Sequence, residues 1–200
     1  QHNPCGKGQI YPMLATYFRH HGEPARASYF TDRLGFVKKW WTTGGWENLR
    51  MASFYKELDP EVHPFDSTER FSLEDSSSIG WIKISEEGFD NQGRINITNL
   101  FVKQLYSVAY FRCFVHSPSE RDALLFVGSD DGIRVWVNNT LLFSNKCFRG
   151  ALVDDDVIKI HLRKGLNSLV VKVAQDVGGW ALIVRIANMS GEGMADIDIS

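Results

Sequence analysis

Apolar and polar residues alternate with a period of two over most of this chain, and only the N-terminal stretch departs from that rhythm. Met13, Leu14, Tyr17 and Phe18 recur at helical spacing. Pro24 interrupts, and Arg26 to Leu34 reads as a second short helix closed by Gly35. Residues 1–10 read as a loose Gly-rich arm. From Phe36 onward the pattern is strand and turn. Phe36–Trp41 reads as a strand and Thr42–Gly45 as a turn, and residues 47–78 are irregular, with breakers at Asp59-Pro60 and His63-Pro64. Trp81–Ser85, Arg94–Thr98, Ser107–Val115, Ala123–Gly128, Ile133–Asn138, Leu141–Phe143, Val157–Leu162, Asn167–Ala174 and Trp180–Ala187 read as strands. Strands at this spacing, with almost no helix between them, predict an all-β sandwich and exclude a parallel α/β fold. The expected division is a helical extension over 1–35, the sandwich over 36–190 and a tail over 191–200.

Composition narrows the function more than the fold. The 200 residues suffice for a full core. A net charge of −2 lacks the basic stripe of a nucleic-acid binder, which removes nucleic acid as a partner. No run of 18 apolar residues is present, so no helical membrane span is expected. The chain opens on Gln1 with no signal peptide, which reads as a processed chain or a piece of a longer one. Of three cysteines, Cys113 lies in an apolar strand pattern and reads as a buried thiol, Cys5 as free, and a Cys113–Cys147 bridge is an open alternative.

The chemistry-bearing stretch is Phe126 to Thr140. Asp130 and Asp131 stand side by side at a corner between two strands, followed by Gly132, with Trp136 on the outgoing strand. Such a corner can hold a turn through carboxylate-to-backbone bonds, coordinate a cation or hydrogen-bond a sugar. Asp154, Asp155 and Asp156 could add oxygens, making Asp130, Asp131 and Asp155 the candidate ligands of a Ca²⁺ ion. Ile133, Val135 and Val137 define one strand face and Arg134, Trp136 and Asn138 the other, so Trp136 belongs on the outer sheet face or under a covering segment. Trp46 follows a Gly-Gly pair, where a loop could expose it. Arg149 is either an ion-pair partner of the loop acids or a bidentate donor to sugar. The histidines are scattered and no catalytic triad or zinc spacing emerges, which favours a non-enzyme.

Residues 107–187 resemble the accessory galactose-binding-like β-sandwich module of bacterial secreted or envelope carbohydrate-active proteins. The residues that carry the likeness are Ser117-Pro-Ser-Glu-Arg121, Gly128-Ser-Asp-Asp-Gly132, Val135-Trp136, Asn138, Arg149-Gly150, Asp154-Asp-Asp156, Lys164-Gly-Leu-Asn167 and Gly178-Gly-Trp180. Asn139 departs from the Gly expected in the Asn-Gly turn, but Asn tolerates positive φ. The corner is also similar to that of protective-antigen-type lectin domains, in which paired acids bind Ca²⁺ and through it sugar. The resemblance implies a jelly-roll sandwich outside the cell or in its envelope. It further implies a glycan or polysaccharide partner, neighbouring domains in a longer chain, and sugar contact through Trp46, Trp136, Asp131 and Arg149. The rival expectations are a spacer that docks its neighbours without a ligand, and a fragment of a hydrolase or lyase.

Overall fold

The computed structural model describes residues 6–102 and 105–200, and of Glu86 the backbone alone. The all-β sandwich that the strand spacing predicts is what forms. The larger sheet takes β1 (Trp41–Glu47), β4 (Ile82–Lys83), β6 (Ser107–Ser117), β8 (Gly132–Val137), β9 (Thr140–Asn145) and β11 (Gly165–Gln175), with the short β13 (Asp198–Ile199) beside β6. Its order is β4-β1-β6-β11-β8-β9. The smaller sheet takes β5 (Arg94–Asn96), β7 (Arg121–Asp130), β10 (Asp156–Leu162) and β12 (Ala181–Ala187), in the order β10-β7-β12-β5. All the pairings are antiparallel. The inward residues of both sheets make one core: Phe111, Cys113, Ile133, Val135, Val171 and Val173 from the larger, and Leu125, Val127, Ile158, Leu182 and Val184 from the smaller. Period-two alternation places these side chains inside because the opposite register would expose all of them together.

The outer face of the larger sheet is also buried. Residues 48–81, of which those up to 78 were expected to be irregular, fold over it as a roof with its own core. Met51, Phe54, Leu58 and Phe71 pack on Trp46, Tyr110, Trp136 and Val170. The roof contains the short helix α3 (Asp59–Val62) and a two-stranded ribbon, β2 (Arg70–Ser72) with β3 (Ser78–Gly80). Within it the strap from Tyr55 to Pro64 buries few apolar groups, since only Leu58 and Pro60 are buried there apart from the Glu61 side chain, and it is held chiefly by polar bonds to the sheet. Burial of one Leu is worth about 1.5–3 kcal/mol, far less than the packed rings of Phe54, Phe71 and Trp81 supply together.

The helices are α1 (Gly6–His20) and α2 (Pro24–Asp32), with Pro24 in the first turn of α2 and Gly35 at φ +72° closing the pair. The helical reading of 11–34 therefore holds, while Gly6–Ile10, expected to be a loose arm, belongs to α1. Cys5 lies outside the described residues. The pair packs on the smaller sheet's side: Glu192 accepts hydrogen bonds from Lys7 (2.7 Å), Tyr11 (3.0 Å) and Arg33 (2.9 Å). The first strand also differs from expectation. It starts at Trp41 and runs through the expected turn, because Gly45 at φ +107° and a bulge between Gly44 and Trp46 absorb the irregularity inside the ladder. Trp40 turns into the main core and Trp41 to the roof side, where it meets Phe65.

Candidate functional site

The acidic corner joins the two sheets. β7 ends at Asp130 in the smaller sheet and β8 starts at Gly132 in the larger, so the chain crosses the sandwich there instead of forming a hairpin. The Asp130–Asp131 peptide is cis. Gly132 is required by packing: a Cβ there would come within 2.6 Å of Met51 Cε and 2.9 Å of Phe54 Cε2.

The two carboxylates have different surroundings. Asp131 is buried, its Oδ1 accepting the Arg149 N–H (3.0 Å) and its Oδ2 the Asp176 N–H (3.1 Å). It ties the 147–150 and 176–179 loops to the corner, the turn-holding role open to such an acid. Asp130 is half-buried beside Gly179, where a Cβ would approach its Oδ2 to 2.7 Å. Burial, and next the charge of Asp131, push the Asp130 carboxyl up to about 6, with Arg94 opposing.

Arg149 converges on the corner. It donates to Ser129 O (3.3 Å) and Ser129 Oγ (3.1 Å) and forms an ion pair with Asp156. Of the three consecutive acids, Asp154 turns away to pair with Arg185, while Asp156 pairs with Arg149 and Asp155 accepts the Leu152 N–H (2.8 Å) with its Oδ2 3.8 Å from Arg149 Nε. Among the described residues no three His, Cys, Asp or Glu side chains are grouped to hold a metal ion. With Asp131 and Asp155 turned to backbone N–H groups, the donor set of Asp130, Asp131 and Asp155 does not fit a Ca²⁺ ion, which takes six to eight oxygens. Cys113 and Cys147 are both free thiols, and burial raises both.

Trp46 and Trp136 do not line the corner. They are 4% and 9% exposed, in the core under the roof, Trp46 edge-on to Tyr110 and Trp136 beneath Arg134. Outside the helical pair, the most exposed rings among the described residues belong to two residues that periodicity does not single out. Phe148, next to Arg149, is 67% exposed, and Tyr55 faces Lys146 at 5.7 Å. A separate open cleft of about 540 Å³ lies at the β1 bulge, between Gly44-Gly45, the 73–79 turn and Phe101.

Sequence reasoning also missed a polar cluster under the roof, formed by Glu61, Tyr110, Arg134 and Lys172. A signal for it was present. Lys172 interrupts Leu169-Val-Val-Lys-Val-Ala174, and Arg112 interrupts an equally apolar run, so each strand carries one cation where both faces are otherwise apolar.

No family model and no curated protein matches this chain. Solved structures overlap it in part. An anti-sigma factor domain-containing protein from Clostridium clariflavum is 14% identical over 50% of this chain, at a TM-score of 0.40. A β-glucosidase from Kluyveromyces marxianus is 11% identical over 74%, at 0.49. A PA14 sugar-binding domain from an RTX adhesin is 18% identical over 46%, at 0.33. This chain spans 35%, 16% and 51% of those chains, respectively.

Proposed function

We propose that this sandwich is a non-catalytic carbohydrate-binding module of a larger extracellular or envelope protein, meeting its glycan at the Asp130 corner. One observation carries the reading: a half-buried carboxyl is held beside a second, immobilised one, with an exposed phenyl ring on the adjoining loop. Asp130 can accept hydrogen bonds from sugar hydroxyls, and Phe148 offers an apolar face to sugar C–H groups. Asp131 and Arg149 act as positioning residues that fix the loops around Asp130. No described helix is long and apolar enough to cross a membrane. Ca²⁺ is not part of this reading, because the donor set does not fit it.

A glycan array followed by affinity electrophoresis tests the proposal. Wild-type protein is expected to retain at least one glycan, Asp130→Asn and Phe148→Ala to lose most of that retention, and neither variant to melt below wild type. An array without hits overturns the reading. It would favour the second one, a docking sandwich without its own ligand, which the full commitment of Asp131 and Arg149 to internal contacts also supports.

A further inference from the structure

The register of the larger sheet places two cations directly opposite each other. Lys172 on β11 pairs with Arg134 on β8, and on its other side with Tyr110 on β6. All three point away from the sandwich core toward the roof. Like charges directly opposite on one sheet face repel, so the row needs an anion above it. Glu61 of α3 is that anion. Its Oε1 accepts from Tyr110 Oη (2.5 Å) and Lys172 Nζ (2.7 Å), and its Oε2 lies 3.5 Å from Arg134 Nη1. Lys172 is wholly buried, and burial lowers its affinity for a proton while Glu61 opposes that shift. Arg112, one diagonal step away, donates to Pro60 O (2.9 Å). Every one of these sheet donors therefore reaches the same strap, at Lys56 O, Pro60 O or Glu61.

Donor capacity on this face exceeds what the strap supplies. Arg112 Nε, Arg134 Nε and Trp81 Nε1 are buried without a hydrogen-bond partner among the described residues, a costly arrangement that more acceptor oxygens would relieve. Lys172 and Arg134 share the single buried carboxylate of Glu61, while Arg112 has the charge of Glu69 nearby. Aromatic rings surround them: Tyr110 lies 5.4 Å from Lys172 Nζ, Trp136 4.9 Å and Tyr55 6.0 Å from Arg134 Cζ. The strap proper, residues 56–64, enters the roof core only through Leu58 and is otherwise anchored by Pro60, by Glu61 and by its carbonyls at Lys56 and Pro60, while Phe54, Phe71 and Trp81 hold the rest of the roof in that core.

We infer that this face is a binding site for a carboxylate-bearing sugar, a uronate, with Glu61 as its internal and displaceable occupant. The uronate carboxylate takes the place of Glu61 between Lys172, Arg134 and Tyr110. Its ring hydroxyls meet the unfilled guanidinium N–H groups, and its C–H face meets the aromatic rim. The strap swings out as a unit while the rest of the roof stays closed. A carboxylate alone would satisfy the cations; the rim of rings and the surplus N–H donors are what select a sugar. This site is distinct from the Asp130 corner and does not depend on it.

Calorimetry with D-glucuronate, D-glucose and acetate tests the inference on wild type, Glu61→Ala and Glu61→Ala/Lys172→Met. Glu61→Ala is expected to bind glucuronate at least about tenfold tighter than wild type, the ratio that one charge-assisted hydrogen bond supports. Glucose should not bind, acetate should bind more weakly than glucuronate, and the added Lys172→Met should abolish binding. Asp130→Asn should leave all of this unchanged. Should Glu61→Ala fail to fold, Glu61→Gln keeps the volume and is expected to shift in the same direction. In wild type, saturating glucuronate should speed amide exchange over residues 56–63 and nowhere else in the roof. A folded Glu61 variant with no gain in glucuronate affinity overturns the site. Acetate equal to glucuronate, or a Glu-rich peptide that binds where glucuronate does not, overturns the sugar class. Unchanged exchange over 56–63 in wild type overturns the displaceable strap.

Discussion

Arg185 holds Asp154 through two parallel bonds, Nε to Oδ1 at 2.6 Å and Nη2 to Oδ2 at 2.7 Å, with both side chains removed from solvent. The same guanidinium donates to Gly191 O (3.0 Å) and lies over the Phe126 ring at 3.6 Å. Gly8 of α1 sits against the Asp154 carboxylate, where any Cβ would overlap it. One arginine on β12 thus organises the 151–155 loop, the C-terminal segment and the first helix.

Asp154→Ala is expected to cost roughly 3–5 kcal/mol, because Arg185 would be left charged and unpaired in a buried site. Asp154→Leu combined with Arg185→Met should recover much of that loss, since hydrophobic replacement of both partners removes the uncompensated charge. Urea unfolding of Asp154→Leu, Arg185→Met and their double gives the coupling. A double variant no more stable than Asp154→Ala would show that Arg185 acts chiefly through its other contacts.

Gly128→Ala should destabilise by about 1–3 kcal/mol. The Cβ would overlap Leu152 O, which is backbone and cannot rotate aside. The damage should concentrate in the 150–155 loop, visible as amide-exchange protection lost there before β7 itself opens.

Asp130 sets one pH dependence. Its carboxyl stands near 6 in the folded protein, against about 3.9 in an unfolded chain. The folded state binds the extra proton between those values, so this residue makes stability fall as pH rises from about 4 to 6, with no further change above. Asp130→Asn should abolish that component and leave the protein at least as stable as wild type at neutral pH. Melting temperatures of both proteins across this range check the sign.

Glu192 sets the opposite dependence. Its hydrogen bond from Lys7, and further bonds from Arg33 and Tyr11, hold its carboxyl down at about 2 against burial. A lowered carboxyl stabilises the fold above its unfolded value, about 4.3, and that contribution fades as pH falls toward 2. Acidification from 4.5 to 2 should therefore loosen α1 and α2, which both touch Glu192 or its neighbours, ahead of the sandwich. Amide exchange read separately over 6–32 and 107–187 measures the difference, and simultaneous loosening would contradict it.

The strands of the last third were legible because each carries its own alternation and is closed by its own turn. Ile133, Val135 and Val137 fall in the core and Arg134 and Trp136 outside it, as the pattern requires. Asn138 and Asn139 make the two-residue turn with φ of +51° and +65°, so Asn serves where Gly was expected. Residues 48–81 were not legible as a roof. Their apolar residues follow neither period because they pack downward from loops, and Glu61 looks in sequence like any surface acid. The pairing of Glu61 with Lys172 spans 111 residues, and nothing local to either residue announces it. The corner was legible as a fold marker, but the parting of Asp154 from Asp155 and Asp156 depends on Arg185 drawing the first and Arg149 facing the other two, and these arginines approach from a strand and a loop far apart in sequence.

The roof decides the direction from which a polymer could approach. A flat, bare sheet would let a polysaccharide lie across it and be gripped in mid-chain over several residues. Here that broad face is closed, and the Asp130 corner stands at one end of the sandwich among loops. On the proposed reading, a glycan at the corner would be met end-on, so terminal sugars rather than interior stretches would be the units discriminated, and the number of chain ends rather than polymer mass should set how much protein a polysaccharide retains.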